Sequence, residues 1–266
     1  MIKQALLGTI FGSISLAARD KLTLIRSAIT ANEGTGSLIN DQLAGRLVSS
    51  LCQSDKIFLD VGAHIGSVIS ETIKRSKPLK IIAIEAMPDK VAKLRRKFPT
   101  VELHEYAVTD KEGEVDFFVN TKQSGYSSLS NPKSKDNIKK IVVQTNLIDN
   151  LITSINIDVI KIDIEGAELG ALRGATQLIK ESQPVIMFES GPEESLGFTK
   201  SKMWNFLNDF DYEIFIPCRI AHNGKGLTHD GFIESHVWPR RTTNYFAIPK
   251  SRREEIRVKA AKLLKI

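Results

Sequence analysis

The chain has 266 residues, 42% of them hydrophobic and 26% charged, and a formal net charge of +6. This size allows one large domain with a full core, and the composition is that of ordinary globular proteins rather than of disordered or fibrous chains. Lysine and arginine are scattered and interleaved with acidic residues, which argues for a mildly basic solvated surface and against nucleic-acid binding.

The amino-terminal stretch MIKQALLGTIFGSISLAARDK has the outline of a signal peptide, but its apolar residues also recur at helical spacing. Leu6, Ile10, Ile14 and Ala17 lead into Leu22, Leu24, Ile25 and Ile29, and no uncharged run reaches the length of a membrane span. The expectation is a packing or interfacial amphipathic helix, which leaves peripheral membrane contact open for a protein otherwise expected in the cytoplasm. The glycine-containing break NEGTGS follows, then a helix over Leu38–Leu51, so that residues 1–50 read as a helical extension. Cys52 and Cys218 lie far apart with no metal-ligand spacing, as expected of reduced structural cysteines.

From Lys56 onward, short β-branched runs alternate with amphipathic segments. KIFLDV is a strand and Ser67–Lys74 a helix; KIIAIE is a strand and Asp89–Phe98 a helix; VELHEYAV is a strand. EVDFFV and KKIVVQT read as an inserted hairpin around a polar loop, Asn120–Asn137, that could cover a crevice. IDVIKIDIE, Ile157–Glu165, is a strand followed by a helix over Ala167–Glu181. PVIMFE precedes a helix over Thr199–Phe210 with Thr199 as its cap. YEIFIP and TTNYFAIP, joined by a long loop without helical pattern, read as an antiparallel closing pair, and Ser251–Ile266 as a basic surface helix. Residues 51–249 form the main domain and 250–266 its tail. The alternation predicts an α/β sheet with helices on both faces, whose ligand crevice lies at the carboxyl ends of the strands. Those ends carry Asp60, Glu85, Tyr106 with Ala107, Asp163 with Glu165, and Glu189.

FLDVGAHIGSVI places Gly62 and Gly66 in a strand-to-helix turn, where backbone can approach a ligand and helix N–H groups point at it. The interval between the glycines is not the G-x-G-x-x-G of a dinucleotide site, which favours a smaller nucleoside ligand. Glu85, ending the next strand, stands where an acid accepts hydrogen bonds from ribose hydroxyls.

FLDVGAHIG, IIAIEAMP, EYAVTD, GYSSL and IKIDIEGAELGAL, in this order, resemble the FkbM family of S-adenosylmethionine-dependent methyltransferases over about half of the chain. The resemblance implies a class I methyltransferase (Rossmann-like) fold with a mixed seven-stranded sheet, and methylation of a hydroxyl on a small molecule or sugar. It implies S-adenosylmethionine as cofactor, with Asp60, Gly62 and Gly66 around its methionine part, Glu85 on the ribose, and Tyr106 and Ala107 beside the adenine. His64 departs from the small polar residue, often Asn, usual in the family, and is a further candidate for cofactor contact.

Methyl transfer to a hydroxyl needs alignment and removal of a proton. Lys161, Asp163 and Glu165 share one side of their strand. Asp163, also a candidate for cofactor contact, is the main catalytic candidate. Glu189 on the neighbouring strand could face it, as a second base or as co-ligand of a divalent ion, although nothing in the spacing calls for a metal. Lys161 is expected to pair with a carboxylate, Glu165 to stabilise the start of the following helix, and Glu168 to be an ordinary helix residue. His222, His229 and His236 have no zinc-ligand spacing, and His229, beside Asp230, is the one candidate base among them. Tyr126, Ser127 and Ser128 are candidates for substrate or cofactor contact. Two other readings use the same sequence. A nicotinamide-dependent oxidoreductase would require the tighter glycine pattern, and a non-catalytic nucleoside-binding or membrane-associated protein would have no need of Asp163.

Overall fold

A computed structural model describes residues 10–120, 138–153, 156–191 and 197–266. Two helices, α1 (Ile10–Ile29) and α2 (Thr35–Leu51), lead into β1 (Ile57–Val61), α3 (Ser67–Arg75), β2 (Lys80–Ile84), α4 (Pro88–Lys97) and β3 (Glu102–His104). Next come β4 (Ala107–Val108), β5 (Gly113–Asn120), β6 (Ile138–Asn146), α5 (Ile148–Leu151) and β7 (Ile157–Ile162). The remainder is α6 (Glu168–Arg173), α7 (Thr176–Ser182), β8 (Val185–Glu189), α8 (Lys200–Asp209), β9 (Tyr212–Phe215), α9 (His229–Glu234), β10 (Asn244–Pro249) and α10 (Arg253–Leu264).

Seven strands form one sheet in the order β3-β2-β1-β7-β8-β10-β9. The first five run parallel, and β10 is antiparallel to both of its neighbours. This is the mixed seven-stranded class I methyltransferase sheet that the resemblance implies, including its closing pair. Strand order reverses between β1 and β7, so the crevice of such a sheet opens at their carboxyl ends.

Alternation along the strands feeds two cores. Phe58 points to the face covered by Leu47, Leu51, Ile69 and Ile256 of α2, α3 and α10. Leu59 points to the opposite face, under Leu169, Leu172, Ile179 and Met203 of α6, α7 and α8. β1 and β7 are buried at every position, and this includes Asp60, Asp158 and Lys161.

Several elements depart from the sequence reading. VELHEYAV is not one strand: after His104 the chain leaves the large sheet, and β4 joins a three-stranded sheet beside β6 and β5. The β5–β6 hairpin is antiparallel as expected. Its connecting loop, with Tyr126, Ser127 and Ser128, lies outside the described residues. The helix expected over Ala167–Glu181 is broken into α6 and α7. Gly174 sits so close to Thr109 that a Cβ would stand 2.3 Å from the Thr109 carbonyl oxygen, and Asp149 N–H donates to the Gly174 carbonyl. The long loop before β10 holds α9, whose cap Thr228 accepts from Gly231 N–H at 3.1 Å. At six residues with a glycine inside, this helix has no room for a periodic pattern. In the tail helix α10, Ile256 and Ala260 are fully buried, and Lys259 donates to the Leu51 carbonyl at 2.6 Å.

Candidate active site

At the carboxyl ends of β1, β2, β7 and β8 lies a cavity of about 390 Å³, within the range of small-molecule sites. Its walls come from the turn after β1 (Gly62, His64, Ser67), the end of β2 (Ile84, Glu85), Tyr106 and Ala107, Lys90 of α4, and Lys161 to Glu165 with Glu189.

The turn after β1 is held by backbone. Gly62 and Ala63 N–H groups both donate to the Ile84 carbonyl, at 2.9 and 3.1 Å. Gly62 has φ +80°, and a Cβ there would lie 2.0 Å from the Asp163 carbonyl oxygen, so only glycine lets β1 and β7 close at this point. Gly66 (φ +79°) also needs glycine, but for packing: a Cβ would stand 2.4 Å from the Phe98 ring, and Gly66 is not part of the cavity wall. His64 too is left-handed, at φ +52°, a conformation that Asn tolerates especially well.

Glu85 is the centre of this wall. Its carboxylate accepts from His64 N–H at 2.7 Å and from Met87 N–H at 3.0 Å, which fixes it in the cavity and leaves lone pairs for a ligand. The His64 ring lines the cavity, and burial together with the Lys90 charge pulls its pKa down, which favours the neutral imidazole. Glu85 at a strand end, the glycine-closed turn, and the Tyr106–Ala107–Val108 and Phe117 surface are groups that could hold the ribose, chain and base of a nucleoside cofactor such as S-adenosylmethionine.

Asp60 is not in this wall. It is 0% exposed, and its answering charge is Lys161 Nζ at 3.4 Å. Asp60 stands one residue short of the end of β1, in register with Lys161, so that it lies beneath the cavity rather than on its wall, where the expectation around the methionine part had put it. Burial pushes its carboxyl pKa up despite the lysine. Lys161 also reaches Asp163 Oδ2 at 3.6 Å and donates to the Gly62 carbonyl at 2.7 Å. One ammonium therefore ties the glycine turn, the buried Asp60 and the cavity-facing Asp163 together.

Asp163 and Glu189 meet on the far wall and share a hydrogen bond. Burial opposes the charge on Asp163, but the Lys161 charge and the Glu189 hydrogen bond outweigh it and hold its pKa below the usual value. Burial, and then the negative charge of Asp163, push Glu189 up to about 10. These opposite shifts favour a pair that keeps one proton at neutral pH. Glu165 joins them: one oxygen from each of the three carboxylates lies within 4.8 Å of the others, a spacing that a hard cation could bridge. Burial and the Asp163 charge push Glu165 up to about 7.

The expected roles of Glu165 and Glu168 are exchanged. Glu168 is fully buried, and its carboxylate accepts from Ile164 N–H and Gly166 N–H at 3.1 Å, so this residue holds the start of α6. Glu165, left-handed at φ +55°, faces the cavity instead. His229 is outside the cavity wall. It bonds Ser201 at 2.9 Å and Asp230 at 3.1 Å and sits edge-on to Trp204, so α9 carries it to α8 rather than to the reacting centre. Among the described residues no histidine joins a metal-ligand cluster. Sequence reasoning missed Lys90, which α4 turns into the cavity beside Glu85; nothing in its spacing distinguishes it from the other lysines of that helix.

The sequence profile of the family described as "Methyltransferase FkbM domain" matches residues 60–214. No curated protein matches the chain. Among solved structures, a methyltransferase FkbM from Methylobacillus flagellatus KT is similar at 19% identity and TM-score 0.46, over 73% of this chain and 44% of that one. The match thus spans under half the length of that protein. A TehB-like SAM-dependent methyltransferase from Corynebacterium glutamicum is similar at 11% identity and TM-score 0.41, over 87% of this chain and 96% of that one. Aeropyrum pernix fibrillarin, in complex with natively bound S-adenosyl-L-methionine, is similar at 14% identity and TM-score 0.41, over 78% and 74% of the two chains.

Proposed function

The chain belongs to the FkbM family of S-adenosylmethionine-dependent methyltransferases, and from that membership we propose that it methylates a hydroxyl oxygen of a small polar acceptor such as a sugar. The observation that carries this reading is the Asp163–Glu189 pair, two carboxyl groups whose oxygens lie within 4.8 Å of each other in the wall of the cavity that Glu85 also lines. A hydroxyl must lose its proton as it becomes an ether, and an ionised carboxylate within reach is the simplest acceptor for it.

Bound S-adenosylmethionine supplies a methyl group activated on a sulfonium sulfur. Glu85 would hold its ribose hydroxyls, Tyr106 and Ala107 would border its base, and Gly62 with His64 would line the rest of the channel. Lys161 keeps Asp163 ionised. Asp163 takes the proton from the acceptor hydroxyl, and Glu189, already protonated, steadies the charge on Asp163 by its hydrogen bond.

The test combines two readouts. S-adenosylhomocysteine binding is measured by calorimetry, and methyl transfer is followed by isotope incorporation over a panel of polyhydroxylated acceptors. Asp163→Asn should lower turnover by about 10²–10⁴-fold, the usual worth of a general base, and leave S-adenosylhomocysteine affinity within a few-fold. Unchanged turnover would remove Asp163 as the base.

A further inference from the structure

The carboxyl-terminal part of helix α1 shows an apolar stripe to solvent. Leu22, Ile25 and Ile29, at i, i+3 and i+7, share one face and are 65, 55 and 79% exposed. At 100° per residue, Arg19 and Arg26 flank this stripe on one side and Lys21 on the other. The helix holds the body by a different face: Leu24 and Ser27 are half-buried, and Ser27 Oγ lies 2.6 Å from Thr35 Oγ1 of α2. A surface helix ordinarily does the reverse, burying the stripe and exposing the polar side.

A second bare apolar group stands beside the end of this helix. Val237 and Trp238 are 62 and 60% exposed, and Arg240 and Arg241 follow them. Their loop is pinned to the turn between α1 and α2. Trp238 Nε1 donates to Glu33 Oε2 at 2.9 Å, the Trp238 ring lies 3.5 Å from where a Cβ on Gly34 would be, and Asn40 donates to the Arg241 carbonyl at 2.9 Å. The indole N–H is satisfied while the ring stays exposed. The acidic residues nearby are Glu33, bound to that indole, Asp41, which accepts from Thr242 and Thr243, and Glu234, 3.7 Å from Arg241. Five basic residues against these three leave the surface cationic.

We propose that the Leu22–Ile25–Ile29 stripe and the Val237–Trp238 loop form a docking surface for an anionic lipid bilayer. An apolar stripe flanked by basic side chains is the pattern of a helix lying in the headgroup layer, where the basic stems reach outward to phosphate. A tryptophan with its N–H bonded and its ring bare suits the same layer. Among the described residues no helix is long and apolar enough to cross a membrane, so the contact lies along the surface. The same loop reaches the active site: His236 Nε2 lies 2.9 Å from the hydroxyl of Ser190, which follows Glu189 of the cavity wall. The surface rests on exposure and charge, independently of the chemistry assigned to the cavity.

Flotation of the full chain with phosphatidylcholine vesicles, with and without phosphatidylglycerol, tests the proposal. Binding to the anionic vesicles should exceed binding to the neutral ones by about tenfold and fall with salt, as screened charges require. The triple variant Leu22→Asn, Ile25→Asn, Ile29→Asn should lose about tenfold or more of this binding, and Trp238→Ala several-fold. Unchanged S-adenosylhomocysteine affinity shows that each variant is folded. A full chain that stays with the soluble fraction, or a triple variant that floats like the parent, overturns the proposal. So does a lipid-free dimer in sedimentation velocity that the triple variant abolishes, because the stripe would then belong to a second copy of the chain.

Discussion

The two ends of β7, a strand of six residues, solve opposite electrostatic problems. At the amino end, Asp158 is 4% exposed and fully answered: Arg252 Nη2 lies at 2.5 Å and Gln53 N–H donates at 2.6 Å. At the carboxyl end, Asp163, Glu165 and Glu189 crowd together, and the cations among them and Glu85 are Lys161 and Lys90. The first end is balanced and closed by the tail helix. The second is unbalanced, and it manages its excess charge by retaining protons. A buried carboxylate that meets its counter-ion stabilises the fold; carboxylates left to share protons in a cavity are poised for chemistry.

Lys161→Met should have the largest effect, because it breaks the carboxyl end where it is most nearly balanced. Asp60 would be left buried without its counter-ion, at a cost of about 3–5 kcal/mol. That corresponds to a melting temperature lower by roughly 6–20 °C for a chain of this size. Calorimetric scanning checks it, and the double variant Lys161→Met, Asp60→Asn should recover part of the loss. A Lys161→Met protein as stable as the parent would mean that Asp60 needs no answering charge.

Asp158→Ala sharpens the contrast from the other end. Arg252 keeps Glu255 at 3.1 Å, so the loss should sit near the low end of the same range, about 3 kcal/mol. S-adenosylhomocysteine affinity, measured by calorimetry below the melting transition, should not change. A weakened affinity would show that the two ends of the strand are coupled, and the comparison between them would fail.

The parts of this picture legible in the sequence are those set by local chemistry. The alternation of strands and helices, the antiparallel closing pair and the acidic residues at the strand ends all follow from patterning and turn residues. The site is less legible because its selection depends on distant contacts. Gly62 and Gly66 look equivalent in FLDVGAHIG, yet one closes against Asp163 and the other against Phe98. Asp60 and Glu85 both end strands, but Asp60 stands one residue before the end of β1 and lies beneath the cavity. Lys90 and His229 differ from their neighbours in the chain only through the helices that carry them, one toward the cavity and the other away from it.

The pH dependence of stability bears most directly on the shared proton. Glu189 has its pKa raised to about 10 from an ordinary value of 4.5. Between these limits the folded protein holds a proton that the unfolded chain releases, so the contribution of Glu189 to stability is fully present below pH 4.5 and is lost as pH rises toward 10. Glu189→Gln has no proton to lose and can still donate a hydrogen bond to Asp163. Its melting temperature should therefore exceed the parent's at pH 8 and converge with it near pH 4. The residual slope in the variant should end near pH 7, where Glu165 and Glu168, both raised to about 7, give up their protons. Asp163 contributes with the opposite sign: its lowered pKa adds stability that is lost only as pH falls through its folded value. Parallel melting curves for parent and variant from pH 5 to 9 would place the proton elsewhere, and the carboxyl end of β7 would then lose the feature that separates it from the amino end.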